Sequence, residues 1–379
     1  MPARAKPKVS LDGLRLVDHH CHGVVGGPLD RAAFEALLSE GFDPAPSGTT
    51  AFDAPLGLGV RRWCAPVLDL EPLSSPDDYL SRRAELGSEE VNRRFLAAAG
   101  VEALLVDSGY RADELLGIRE MGEAAGAAAY EVVRIEAVAE AAIRSGLEAR
   151  GYADAFEAAL RGSAAGAVGF KTVVAYRGGF GFDPAPPAAG EVVAAAGRWL
   201  ASPGRLEDPV LLRFGIWTAA RVARERRMPL QVHTGFGDPD LTLHLANPSL
   251  LTDLLRALGR LPVDVVLLHC YPYHREAAYL AAVLPNVHLD LGPVLHHTGP
   301  GSARILAEAM ELAPFAKLLY ASDAFGLAEL YLLGAMLFRR GLASVLGEWI
   351  AQDHCSLGEA ERIAGLAASG NARRIYPLG

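Results

Sequence analysis

Short apolar, β-branched runs alternate along the chain with longer stretches whose apolar positions recur at helical spacing. The runs are LRLVDHH (14–20), VEALLVDSG (101–109), YEVVRIEAV (130–138), AVGFKTVVAY (167–176), PLQVHTG (229–235), VDVVLLHC (263–270), NVHLDLG (286–292) and KLLYASD (317–323). Each is short enough for a strand. Most are continuously apolar, as strands covered on both faces must be. Segments such as ADAFEAALRGS, LLTDLLRALGR and EAAYLAAVLP read as the intervening helices.

Eight strand–helix repeats predict an α/β fold of the (β/α)8 TIM-barrel type, with residues 1–379 as one domain. The competing open doubly wound sheet would carry a Gly-rich first turn. The first turn here reads HHCHGVVGG, without GxGxxG. The interval between the first two runs is too long for one crossover. Residues of about 28–99 are therefore expected to form a helical insertion over the barrel mouth.

Composition narrows the function classes. The chain is 51% hydrophobic, and its net charge of −9 argues against a nucleic-acid partner. No long uninterrupted apolar window suggests a membrane span. The basic start MPARAKPKVS lacks the apolar stretch of a secretory signal. Four scattered cysteines without CxxC spacing fit a reduced, cytoplasmic chain. The expected partner is a small-molecule substrate. A homo-oligomer is compatible with the sequence, but no segment identifies an interface.

The polar residues carry the chemistry. In such a barrel, active groups gather at the C-terminal ends of the strands. His20 and His22 close the first run, two apart and so on one face. His233, His269 and Asp323 lie at or near the ends of three further runs. Four strands thus deliver five ligand-type side chains to one end. Imidazoles with a carboxylate suit Zn²⁺, Fe²⁺, Mn²⁺ or Co²⁺, with Zn²⁺ favoured. A bound metal would lower the pKa of a water to give hydroxide as the nucleophile. Asp323 could ligate the metal and also take the water's proton. Asp18 has two readings, orienting a ligand histidine or bonding backbone at the strand end. Arg134, charged inside an apolar run, is expected to pair with Glu136 or point into the barrel. Arg177, just after the fourth run, suits a substrate carboxylate. In the loop 233–248, Asp238 and His244 could approach the site, and His244 is taken as substrate-binding. Cys21 and Cys270 adjoin ligand positions but should be turned away to pack.

VDHHCHG, read as Asp-x-His-x-His over Asp18, His20 and His22, resembles the signature of the amidohydrolase superfamily. His233, His269 and Asp323 fall where that family places its later ligands. GFKTVVAYRGG, PLQVHTGFGD and LLYASDAFGLAELYLLGA resemble more narrowly the amidohydrolase part of fungal and plant proteins fused to a glutamine-synthetase-like domain, for which this chain has no room. The resemblance implies a hydrolase of amide or other C–N bonds in a small, carboxylated substrate, with a γ-glutamyl or similar amide as one candidate. It also implies one of two states for Lys171: a carboxylated bridge between two metal ions, or an ordinary lysine neutralised by a carboxylate or touching substrate. With two ions His269 would ligate the second, and with one it would polarise the carbonyl or act as acid or base. The alternatives are a single-metal decarboxylase or lactone hydrolase, and a non-catalytic metal-binding or regulatory barrel. A complete ligand set counts against the last.

Overall fold

The computed structural model describes residues 9–143 and 146–379; the basic start, residues 1–8, lies outside them. Seven parallel strands form one sheet in sequential order: β1 (Leu16–Cys21), β2 (Val101–Asp107), β3 (Ala128–Arg134), β4 (Ala167–Thr172), β5 (Leu230–Thr234), β6 (Val265–His269) and β7 (Val287–Leu289). The eighth run is no regular strand. It nevertheless bonds to both edges: Leu319 N–H donates to Leu289 O at 2.9 Å, His19 N–H to Tyr320 O at 3.2 Å, and His22 N–H to Ala324 O at 2.9 Å. These bonds close the barrel, and closure satisfies edge groups that would otherwise be bare.

The third run differs from expectation. Its strand stops at Arg134, and the helix Ile135–Ala141 begins at once, so IEAV is helical. Elsewhere the elements begin where local chemistry says they should. Ser75 before Pro76 caps the helix Pro76–Leu86 by accepting from Asp78 N, and Asp208 before Pro209 caps Pro209–Arg226.

The long first interval divides into two parts. Helix 31–36 and the loop at 37–42 contribute residues to the cavity lining, and short helices at 51–53, 55–59, 60–64 and 65–68 follow. Helix Ser88–Ala99 instead packs between Ala328–Ala351 and Ile118–Ala125, the place of the ordinary return helix after β1. Helix Ala328–Ala351 is long and apolar enough to cross a membrane, yet two-thirds of that stretch (67%) is buried inside the fold.

Inside the barrel, Val17, Ala103, Leu105, Val132, Val266, Leu268 and Leu319 pack with Ala372, Ile375 and Tyr376 of the C-terminal segment, which plugs the floor. Gly169 leaves room for that plug, since a Cβ there would meet the Tyr376 ring at 3.3 Å.

Candidate metal centre

β1 does not keep a simple two-residue alternation. Asp18 pairs with Leu104 and Cys21 with Val106, so three steps on β1 oppose two on β2, a bulge. Consecutive residues can therefore both turn inward. His19 Nε2 stands 3.0 Å from Asp290 Oδ2, while His20 Nε2 stands 3.1 Å from Asp323 Oδ1. His22 Nε2 approaches the same Oδ1 at 3.5 Å. Cys21 points outward to Leu105 O, as expected.

The other strand ends converge on this point. His269 Nε2 is 3.3 Å from Asp323 Oδ2, and the His233 and His269 rings meet with centroids 4.7 Å apart. Lys171 Nζ lies 2.8 Å from His20 Nε2 and 3.2 Å from Asp107 Oδ2. His269 and Asp323 adopt left-handed backbone (φ 67° and 48°), which costs a non-glycine residue of order 1–3 kcal/mol and concentrates at functional sites. Asp323 N–H is held there by His20 O at 3.0 Å.

The protonation states suit metal binding. Among the described residues His22 Nδ1 meets the carbonyl of Asp107 at 3.0 Å, so Nδ1 carries the proton and Nε2 presents a lone pair. Burial, helped by the Lys171 charge, pushes His20 down to about 3, leaving a neutral imidazole. Burial likewise lowers His233 and His269. The buried Nε2 atoms of His233 and His269 have no hydrogen-bond partner among the described residues. Such orphans are costly unless something coordinates them. His20, His269 and Asp323 offer ligand atoms within 4.8 Å of one another, as do His20, His22 and Asp107. The donor set and its orphaned nitrogens fit a divalent ion.

Several partners differ from those expected. Arg134 pairs with Asp107, at 2.7 Å from NH2 to Oδ2, and not with Glu136, which instead accepts from the Thr172 hydroxyl and Val173 N. Asp107 thus holds two cations, Arg134 and Lys171. Burial alone would raise its carboxyl, but these charges hold it well below the ordinary value. Asp18 takes the strand-end role: Oδ1 accepts from Ser322 N at 2.8 Å, and burial pushes its carboxyl up to about 7. Arg177 lines the cavity with NH1 paired to Glu140 at 3.0 Å. His244 corrects an expectation. It sits on the one-turn helix Leu243–Ala246, which buries Ala246 and leaves His244 exposed to solvent and outside the cavity lining. Asp238 and Asp240 of the same loop do line the cavity.

Sequence reasoning passed over Asp107, Tyr176 and Glu40. Asp107 ends an apolar run just as Asp323 does, and that shared signal could have found it. Tyr176 packs on His233 with ring centroids 4.5 Å apart. Glu40 comes from the insertion and meets His297 at 3.0 Å, a contact that no local pattern encodes. The cavity above the cluster holds about 1000 Å³, and His22, Lys171, His233 and Asp323 lie at its base. Gly237 keeps that base open: a Cβ there would fall 2.0 Å from Tyr176 Oη and 2.9 Å from His233 Nε2. Gly237→Ala is expected to cut metal-dependent turnover by about 100-fold through ligand displacement, with the unfolding midpoint little changed. Kinetics and thermal melts on one preparation check this.

The family model described as amidohydrolase matches residues 112–378, well over half of the chain. The chain belongs to the amidohydrolase family. The matched stretch carries Lys171, His233, His269 and Asp323; His20 and His22 precede it. Protein fluG of Emericella nidulans is 29% identical to this chain over 402 aligned residues, covering 96% of the chain and 46% of fluG. The chain thus spans about half the length of that relative. A structure from Lactobacillus casei ATCC 334, provisionally called a metal-dependent hydrolase, is 28% identical with a TM-score of 0.86, covering 97% of this chain and 98% of that one. The uronate isomerase of Thermotoga maritima shares the fold alone, with a TM-score of 0.63 and 13% identity over 96% of this chain and 95% of its own.

Proposed function

We propose that this amidohydrolase is a metal-dependent hydrolase of an amide or related C–N bond in a small, carboxylated substrate. The carrying observation is the division of Asp323: Oδ1 faces His20 and His22, while Oδ2 faces His269. In this reading His20, His22, His233 and Oδ1 of Asp323 would hold one divalent ion, most suitably Zn²⁺. The ion supplies Lewis acidity and an activated water when bound. Oδ2 of Asp323 and Nε2 of His269 form the acid/base side, taking a proton from the nucleophile and returning it to the leaving nitrogen.

Lys171 is read here as an ammonium. Its Nζ neutralises Asp107, and a carbamate at that place would set a second anion against the buried carboxylate. Burial lowers Lys171 while Asp107 opposes the shift. One metal ion per chain is therefore expected from elemental analysis of protein prepared without chelator and with bicarbonate. Two ions would restore the bridging lysine.

The arginines support a substrate carboxylate. Arg111, Arg177 and Arg205 line the cavity, and the buried Nε of Arg177 has no partner among the described residues. Arg177→Ala is expected to raise KM about tenfold or more with kcat nearly kept, as befits a charge-assisted contact made equally in ground and transition states. The test of the whole reading is a panel of γ-glutamyl-4-nitroanilide, N-acetyl amino acids, aryl carboxylates and lactones, run with Zn²⁺-loaded and chelated protein. Metal-dependent cleavage of the amides alone supports it. Decarboxylation or lactone opening without amide cleavage overturns it.

A further inference from the structure

His269 ends β6 with its backbone turned into the left-handed region, where the peptide N–H leaves the ladder. That N–H is captured by Oδ1 of Asp290, just beyond β7, at 2.8 Å. The same carboxylate oxygen lies 3.8 Å from Nδ1 of the His269 ring, a buried nitrogen with no hydrogen-bond partner. Gly292, with φ +38°, lets the loop press against that ring; a Cβ there would lie 2.4 Å from His269 Nδ1.

Asp290 is fully buried, and a buried carboxylate is costly without a countercharge or strong donors. His19, released inward by the β1 bulge, stands beside it, although neither His19 Nε2 nor Asp290 Oδ2 makes a hydrogen bond of normal geometry among the described residues. Its Nε2 stands 3.0 Å from Asp290 Oδ2. Its Nδ1 meets the hydroxyl of Tyr376 at 3.0 Å. Gln231 of β5 donates to the same hydroxyl at 2.9 Å and to His19 O at 2.8 Å. A backbone cap alone needs only a neutral oxygen. Here a charged group, a second histidine and a tyrosine three residues from the last residue are all buried to serve one position.

We propose that Asp290 is a positioning residue for His269, held in turn by His19 and by Tyr376 of the C-terminal plug. This rests on the reading of His269 as the acid/base group. Through this chain of contacts the C-terminal segment, packed in the barrel floor, sets the ring that faces Asp323 at the mouth.

The test uses Asp290→Asn, which keeps an oxygen for the His269 N–H but removes the charge, and Tyr376→Phe, which removes one hydroxyl from the floor. Ring signals of ¹⁵N-labelled histidine are followed with His269→Ala as the assignment control, beside kcat and KM on the panel amide that the wild type cleaves. Asp290→Asn is expected to shift the His269 ring signals and lower kcat about 10- to 100-fold, with KM within about threefold. Tyr376→Phe should move the same signals in the same direction by less. A folded Asp290→Asn with wild-type signals and kcat overturns the proposal. If Asp290→Asn does not fold, Tyr376→Phe decides alone, and unmoved His269 signals overturn it. Wild-type turnover in His269→Ala would instead overturn the acid/base reading, so the two failures are separable.

Discussion

Asp323→Asn is expected to lower turnover by about 1000-fold or more while the fold survives. One carboxylate oxygen stands 3.1 Å and 3.5 Å from Nε2 of His20 and His22, and the other 3.3 Å from His269. An amide keeps the shape but places a neutral oxygen where the metal needs an anion, and an NH2 where a proton must be accepted. Loss of a general base costs roughly 10²–10⁴-fold, and weakened metal retention adds to it. The fold should tolerate the change because the backbone of Asp323 is fixed by its own N–H to His20 O at 3.0 Å, which the substitution leaves in place. Circular dichroism, metal content and single-turnover kinetics on one sample check the three parts. Turnover within tenfold of wild type would remove Asp323 from the chemistry.

Glu329→Ala is expected to destabilise the protein by about 3–5 kcal/mol, the usual result of stripping one partner from a buried ion pair. Glu329, in helix Ala328–Ala351, is fully buried. Its Oε1 accepts from Arg83 Nε at 2.8 Å and from the Tyr79 hydroxyl at 3.0 Å, both on helix Pro76–Leu86. Removing it strands the Arg83 guanidinium, which is only 4% exposed. The consequence reaches the site. The adjacent Leu330 lines the cavity, and Tyr331 donates its hydroxyl to the backbone oxygen of His22. Denaturant unfolding should show a lower midpoint with an unchanged slope. The double variant Arg83→Met, Glu329→Leu should recover most of the loss, since a hydrophobic pair of similar volume can replace a buried ion pair. No recovery would mean that the packing of the insertion, and not the charge, is what Glu329 secures.

Much of this architecture is legible in the chain because its causes are local. Strands covered on both faces must be apolar throughout, so seven of the eight runs contain strands, although the third and fourth runs leave strand geometry at Arg134 and Thr172 and continue as helical turns. The eighth, KLLYASD, closes the barrel by backbone bonds to both neighbours without regular strand geometry. A ligand-type residue ending an apolar run is also a local signal. It marked His20, His22, His233, His269 and Asp323, all of which the barrel brings to one end, whereas Lys171 was singled out only by the family resemblance. Asp107 carried the same mark.

Other features depend on residues far apart, and only the tertiary structure decided them. The bulge that turns both His19 and His20 inward arises from the pairing of β1 with β2. The left-handed backbone of His269 and Asp323 persists because Asp290 and the carbonyl of His20 hold their peptide groups. Arg134 chose Asp107 over the nearer-in-sequence Glu136, because Ile135 already begins a helix that swings Glu136 toward the end of β4. His244 faces solvent because the one-turn helix Leu243–Ala246 buries Ala246 and leaves His244 on its exposed side. Which residue types stand at strand ends follows from periodicity along the chain. Which of them touch, and in what charge state, follows from register, closure and burial, which no window of sequence contains.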